Sequence, residues 1–244
     1  MNRPRRTWTG WLAGLGLSLI AFAAQAAGLS FSPVRVTLED PGQIQNLRVR
    51  NTADEPLVVQ AAVKDLSIAD DRERYTDTDA LVVTPPVFTI GPGEEQIVRL
   101  GLRNPAPVET ERAFRVFFEQ SPARPAASGE GEPVRVQVNL RVGIPVFVSP
   151  IRPLPRSIDW QMESLGDGVV RVSAVNRGNT HARLSRLSLL GEGGEVLAEA
   201  DGLIYLLPGS RRSWMLKLPA GAARPHHLRF EDQRGSAEAA LPPA

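Results

Sequence analysis

Hydrophobic and polar residues alternate over an unusually long stretch between Pro133 and Pro150. The even-numbered positions from Val134 to Val148 are apolar, whereas the odd-numbered positions are mostly polar or small, apart from Phe147. Since successive side chains of a strand point to opposite faces, this period of two predicts a β-strand. The pattern persists well beyond the usual strand length of about 5–6 residues.

Two interpretations of this strand remain open from the periodicity alone. It is either an ordinary long strand with one face in a core, or a long edge strand whose apolar residues are kept for another chain. An unpaired edge offers free N–H and C=O groups, which are a template for strand addition. Pro145 lacks a backbone N–H, which is compatible with an edge position or with a change of sheet.

The rest of the chain alternates in shorter runs that are separated by turns, and it contains 21 Gly and 21 Pro. No segment shows the period of an amphipathic helix. The alternation in Gly28–Leu38 changes phase at Pro33, which predicts a bulge or a crossing between two sheets. The polar and charged stretch Asp70–Asp79 is expected to be a loop, and the strands before Pro150 have the number and size of an immunoglobulin-like sandwich.

The two prolines of Ile151–Arg156 end this run of strands and predict a hinge. Beyond the hinge, short alternating runs from Val169 to Phe230 predict a second, smaller all-β domain. The sequence therefore predicts an all-β protein with two domains, of which the first is an immunoglobulin-like β-sandwich. The expected domains are residues 27–150 and 151–244.

Residues 1–26 have the three parts of a secretory signal peptide. Arg3, Arg5 and Arg6 precede the uncharged apolar run Trp11–Ala23, and Ala24-Gln25-Ala26 has the small residues of a cleavage site. A membrane anchor requires about 20 apolar residues, which is longer than this run. We expect export by the Sec route, cleavage after Ala26, and no membrane span in the mature protein.

Removal of the signal takes away three of the 28 basic residues and none of the 27 acidic residues, which leaves a net charge of −2. No broad basic field is then available, so nucleic acid is not expected as a partner. The chain has no cysteine. An exported protein without disulfides depends on its hydrophobic cores for stability.

Catalytic and metal-binding patterns are missing from the sequence. There is no Gly-x-Ser-x-Gly motif, no cysteine nucleophile and no glycine-rich phosphate loop before a helix. His181, His226 and His227 are the three histidines, and each is interpreted as a surface or structural residue. We therefore expect a protein that is not an enzyme and that has no cofactor and no metal.

Four segments together resemble the periplasmic pilus-assembly chaperones of chaperone–usher systems. The run VTPPVFTIGPGEEQIVRL from Val83 to Leu100 is similar to the family's fourth and fifth strands, and ERAFRVFFEQSPA from Glu111 to Ala123 is similar to its sixth. Asn176–Thr180 and Leu206–Trp214 resemble motifs of the family's second domain. These elements occur in the family's order and span nearly the whole mature chain.

The resemblance implies two immunoglobulin-like domains in an L or boomerang arrangement, and a chaperone function in the periplasm. Such chaperones capture pilin subunits by donor-strand complementation, lending their long seventh strand, and deliver them to an outer-membrane usher. Self-association through the same edge is a further expectation for the free protein. The residues matching the family's donor positions are Val134, Val136, Val138, Leu140 and Val142.

The family also anchors the pilin's terminal carboxylate with two basic residues. Arg35 matches the first, an arginine of the first strand. The second is a lysine late in the seventh strand, where this chain has Pro145. Arg141, with the same parity as Pro145, and Arg115, on the neighbouring strand, are both candidates for this role. The departure suggests a divergent branch of the family, such as the archaic type.

A structural or adhesive two-domain subunit of a cell-envelope complex is the alternative function. A secreted sugar-binding module is less compatible with the sequence, because such a module needs clustered exposed aromatic residues. The chain has only four tryptophans, and Trp8 and Trp11 lie in the signal.

Overall fold

The computed structural model describes residues 28–120 and 140–241, and every regular element in these ranges is a β-strand. The strands before residue 150 are β1 Leu29–Ser32, β2 Val36–Leu38, β3 Gln45–Asn51, β4 Leu57–Ala69, β5 Arg72–Asp77, β6 Leu81–Thr84, β7 Val87–Ile90, β8 Glu95–Leu102, β9 Arg112–Gln120 and β10 Arg141–Val148. Those after it are β11 Ile158–Gly166, β12 Val169–Asn176, β13 Ala182–Leu190, β14 Val196–Leu206, β15 Arg211–Lys217, β16 His227–Asp232 and β17 Gly235–Ala240. The predicted all-β class is confirmed.

Strands β1 to β10 form two sheets that enclose one hydrophobic core. One sheet has the order β1-β3-β8-β6, and the other has the order β2-β10-β9-β4-β5, with β7 also paired to β4. The chain passes from the first sheet to the second at Pro33, between β1 and β2, as the change of phase predicted. Phe114 and Phe118 of β9 are fully buried between the sheets.

Strands β11 to β17 form two further sheets around a separate core. Their orders are β11-β12-β15 and β14-β13-β16-β17. Trp160 of β11 packs on Phe230 of β16 with ring centroids 5.2 Å apart, across the space between the two sheets. These strands are the second all-β unit that the alternation predicted.

The expectation of a loop at Asp70–Asp79 is wrong, because this segment is mostly strand. β4 continues to Ala69 and turns back into β5 through Asp70 and Asp71. These two residues have φ angles of 52° and 59°, a left-handed conformation that aspartate tolerates better than most residues. The charged composition of β5 reflects its place at the edge of the sheet, where one side of the strand faces solvent.

The two halves of the chain repeat one buried asparagine arrangement. The Asn51 amide nitrogen donates to the carbonyls of Glu55 and Ile90, and its oxygen accepts from Ala53 N–H. The Asn176 amide does the same with the carbonyls of Thr180 and Leu206 and with Gly178 N–H. Each side chain thus closes its own turn and ties it to a distant strand.

No helix among the described residues is long and apolar enough to cross a membrane. The predicted signal peptide, residues 1–26, lies outside the described ranges.

Candidate functional site

The outer face of the sheet β2-β10-β9-β4-β5 packs against the second half of the chain. Its contact cluster comprises Leu66, Ala113, Phe147, Tyr205 and Leu207, with Ile68 partly buried against it. Beside this cluster, a cleft of about 300 Å³ runs between β4 and the turn from β14 to β15. The outer face is therefore the side on which the two halves of the molecule meet.

One cross-strand row on this face collects basic residues. Arg115 of β9 lies between Pro145 of β10 and Lys64 of β4. On the other side of β10, Val146 pairs in parallel with Val36. Pro145 and Arg35 are the residues directly before this pair, so they lie beside each other on neighbouring chain segments. Because neighbouring strands lie about 4.8 Å apart, the Arg35 and Arg115 backbones are about 10 Å apart across Pro145. The register thus brings together two of the three predicted anchor residues.

The Arg115 side chain lies deep in this row and is only 11% exposed. Its Nη2 donates to Glu73 Oε2 at 2.6 Å, and its guanidinium carbon lies 6.0 Å from the centre of the Tyr205 ring. Among residues 28–120 and 140–241, no group accepts a hydrogen bond from its buried Nε. A Cβ added to Gly143 would lie 3.0 Å from the Arg115 Cδ, so the glycine makes room for the arginine stem.

Arg35 is half-buried, in the segment between β1 and β2. Within the part of the chain that the structure describes, it has no hydrogen-bond or ion-pair partner. Alternation from Val36, which lies in the core, puts Arg35 on the outer face with Arg115. No described residue therefore competes with an anion for Arg35 on this face.

Arg141 lies apart from this pair. It is directly opposite Glu119 on β9, and its Nε contacts Glu119 Oε1 at 2.7 Å. Its side chain is 55% exposed and covers the Phe117 ring at 4.0 Å. Four residues at about 3.3 Å each put Arg141 about 13 Å along β10 from Pro145. The structure therefore does not place Arg141 with Arg35 and Arg115.

Of the predicted donor residues, Val134, Val136 and Val138 lie outside the described ranges. The carbonyl of Leu140 accepts a hydrogen bond of 3.0 Å from Gln120 N–H, and Leu140 is half-buried. Val142 lies opposite Phe118 and packs partly against the first core. The even-numbered apolar side chains of β10 from Val142 to Val148 thus face the first core.

A family model described as "Pili and flagellar-assembly chaperone, PapD N-terminal domain" matches residues 28–153. This range holds β1 to β10 and the basic row, and it covers more than half of the chain. The chain belongs to this family of pilus-assembly chaperones.

A relative from Escherichia coli matches part of the chain. "Uncharacterized fimbrial chaperone YhcA" of Escherichia coli K12 is 30% identical over 105 residues, and the match spans 43% of this chain and 42% of that protein. The chain thus matches less than half the length of this relative. The identity is consistent with the family.

Two solved structures share the fold over nearly their full length. One is the chaperone–subunit complex CsuC–CsuE from archaic Csu pili of Acinetobacter baumannii (TM-score 0.65, 18% identity, 88% of this chain and 98% of that chain). The other is the SafA pilin with the SafB chaperone of Salmonella enterica (TM-score 0.62, 18% identity, 90% and 99%). The predicted fold of two immunoglobulin-like domains is confirmed.

The contacts between the two halves of the chaperone include residues that the sequence did not connect. His181 Nδ1 lies 2.8 and 2.9 Å from the two carboxylate oxygens of Glu111, and the His181 backbone N–H donates to the same carboxylate. Asn179 donates to the carbonyls of Glu109 and Arg152. Glu111 and His181 are 70 positions apart, so no local pattern could link them, although Glu111 does open the sixth-strand motif.

Proposed function

We propose that this protein is a periplasmic chaperone that captures pilus subunits by donor-strand complementation and delivers them to an outer-membrane usher. Family membership supports the chaperone role. The likeness to structures of chaperones in complex with a pilin or a tip subunit supports subunits as the partners. Export to the periplasm follows from the predicted signal peptide, and the proposed function requires no catalytic residue or cofactor. The domain boundary near residue 150 and the archaic-type branch belong to the same proposal.

The observation that carries the proposal is that Arg35 and Arg115 lie in one cross-strand row, on either side of Pro145. A pilin strand that adds to β10 brings its terminal carboxylate to the outer face between two guanidinium groups. Arg115 has an unsatisfied buried Nε, and Arg35 has no partner among the described residues. Hydrogen bonds between charged groups contribute about 1.5–3 kcal/mol each, and guanidinium forks match carboxylates well.

The same register favours Arg115 over Arg141 as the second anchor. Arg115 shares a row with Arg35. Arg141 is paired with Glu119 and lies four residues along β10 from Pro145. An arginine on β9 therefore takes the role of the lysine that the family carries on its seventh strand. Pro145 separates the two arginines without competing for the carboxylate.

The β10 edge supplies the strand that the pilin receives. β2 pairs with β10 only from Val146 to Val148, so among the described residues the segment Arg141–Pro145 has β9 on one side and no strand on the other. Such an edge accepts another strand. The donor residues Val134, Val136, Val138, Leu140 and Val142 would then fill the groove of an incomplete pilin.

The test is co-purification from the periplasm with candidate pilins that are co-expressed with the chaperone. Arg35→Ala and Arg115→Gln are each expected to lower pilin capture about tenfold or more, since tenfold corresponds to about 1.4 kcal/mol. Arg141→Gln is the matched control, and it should capture pilin as the wild type does. Wild-type capture by both Arg35→Ala and Arg115→Gln would overturn the anchor, and a loss confined to Arg141→Gln would reassign it.

A further inference from the structure

Arg115 lies midway across the sheet between Arg35 and Glu73. In the sheet order β2-β10-β9-β4-β5, Arg35 is two strands away on one side and Glu73 of β5 is two strands away on the other. The Nη2 of Arg115 is bonded to Glu73 at 2.6 Å, so its outer end points toward β5 and away from Arg35. The chaperone therefore holds its proposed second anchor turned away from the first.

The Tyr75 hydroxyl holds the Glu73 carboxylate directly, and two other contacts hold the hairpin that carries Glu73. The Tyr75 hydroxyl donates to the same oxygen, Oε2, that accepts from Arg115. The Tyr75 ring packs edge-on against Phe117 with centroids 5.1 Å apart. At the tip of the β4–β5 hairpin, Arg212 of the second half donates to the backbone carbonyl of Asp71. The hairpin is thus tied both to its own sheet and to the other half of the molecule.

The Glu73–Arg115 pair differs from the surface ion pairs of the chain in its burial. Its side chains are 24% and 11% exposed, whereas those of Glu119 and Arg141 are 47% and 55% exposed. Exposed pairs contribute little, but a partly desolvated pair with a second donor holds more strongly. A second carboxylate at Arg115 also meets the like charge of Glu73, which disfavours both charges together.

From this geometry we infer that Glu73 is a resident carboxylate that occupies Arg115 in the free chaperone and is displaced when a subunit's terminal carboxylate binds. The inference rests on the proposed anchor role of Arg115. The β4–β5 hairpin thereby sets the affinity for the ligand's carboxylate, because each binding event must first break the Glu73–Arg115 contact. A peptide with a terminal amide has no carboxylate to replace that of Glu73, so its affinity should not depend on Glu73.

The test compares a synthetic octapeptide of four Thr-Val repeats, with a free terminal carboxylate, to the same peptide with a terminal amide. Titration calorimetry with Glu73→Gln is expected to show about tenfold tighter binding of the acid than the wild type, as for the loss of a charged hydrogen bond. Binding of the amide should not change. Glu119→Gln, which removes the exposed partner of Arg141, is the matched control and should bind both peptides as the wild type does.

The outcomes separate this inference from the anchor itself. If Glu73→Gln binds the acid no tighter than the wild type while Arg115→Gln still binds it more weakly, the displacement is wrong and the anchor stands. If Arg115→Gln binds the acid as well as the wild type does, both are wrong. Should Glu73→Gln fail to fold, Tyr75→Phe removes a donor that holds Glu73, and it should tighten binding of the acid in the same direction; unchanged or weaker binding would overturn the displacement.

Discussion

Phe147 of β10 stacks face to face on His181, with ring centroids 3.8 Å apart and an angle of 15° between the ring planes. Phe147 is fully buried, although it lies on the face opposite the first core. His181 is held in turn by Glu111, which directly precedes β9. The strand that leads to the donor residues is thus joined directly to the second half of the molecule.

Phe147→Ala is expected to lower the free energy of unfolding by about 3 kcal/mol, because truncation of a buried phenylalanine costs about 3–5 kcal/mol. Urea denaturation followed by tryptophan fluorescence measures this change. Loss of the stacking should also uncouple the two cores, so calorimetry should resolve two transitions. Val34→Ala is the control, since Val34 is 72% exposed. Equal stability of the two variants would show that the Phe147–His181 contact does not join the halves.

The phenol of Tyr75 provides a pH-dependent signal from the Glu73 site. Burial raises the pKa of Tyr75 above its ordinary value of 10.0, and the hydrogen bond to Glu73 raises it further. The folded state therefore favours the neutral phenol. The resulting stability is fully present below pH 10, and it is lost as the pH rises through the higher pKa of the folded state.

This shift can be measured by absorbance titration near 295 nm. The chain has two tyrosines, so in a Tyr205→Phe background the signal belongs to Tyr75 alone. We expect a pKa above 10.0 in that background, and a lower pKa when Glu73→Gln is added. An identical titration with and without Glu73→Gln would mean that the Glu73 carboxylate does not contact the phenol in solution.

The sequence predicted the strands well because alternation is a local property. The phase change at Pro33 located the crossing between sheets, and the even positions from Ile144 to Val148 are buried as expected. The hairpin at Asp70 was missed because an edge strand needs no apolar alternation and its turn lacks glycine. The choice between Arg115 and Arg141 depends on the register of β9 against β10 and β2, which a single sequence does not specify.

The paired asparagines predict equal sensitivity in the two halves of the chain. Asn51 and Asn176 are 0% and 2% exposed, and each satisfies two carbonyls and one N–H. Replacement by alanine leaves these buried groups unpaired, at about 1–3 kcal/mol for each group that water cannot reach. We expect Asn51→Ala and Asn176→Ala each to lower the free energy of unfolding by about 3 kcal/mol.

Thermal and urea unfolding of the two asparagine variants measure this cost. Asn46→Ala changes the same residue type at an exposed position of β3, so it should stay within about 0.5 kcal/mol of the wild type. A loss at Asn51 without a loss at Asn176 would show that the repeated arrangement supports only one core.

The donor strand is tested by separating pilin capture from stability. The combined change Val136→Ser, Val138→Ser and Leu140→Ser removes apolar groups that are proposed to fill a pilin groove rather than the chaperone's own core. Each such side chain offers about 1.5–3 kcal/mol when buried, before the ordering cost of association. We therefore expect an almost unchanged Tm together with loss of pilin co-purification.

Val146→Ala, on the same face of the same strand, is the opposite case. Val146 is fully buried in the first core, so its truncation should lower stability by on the order of 2 kcal/mol through the cavity that remains. Pilin capture by the folded fraction should persist, because Val146 lies beyond the donor positions. A large fall in Tm for the triple variant would assign its residues to the chaperone's own core and support the ordinary-strand interpretation.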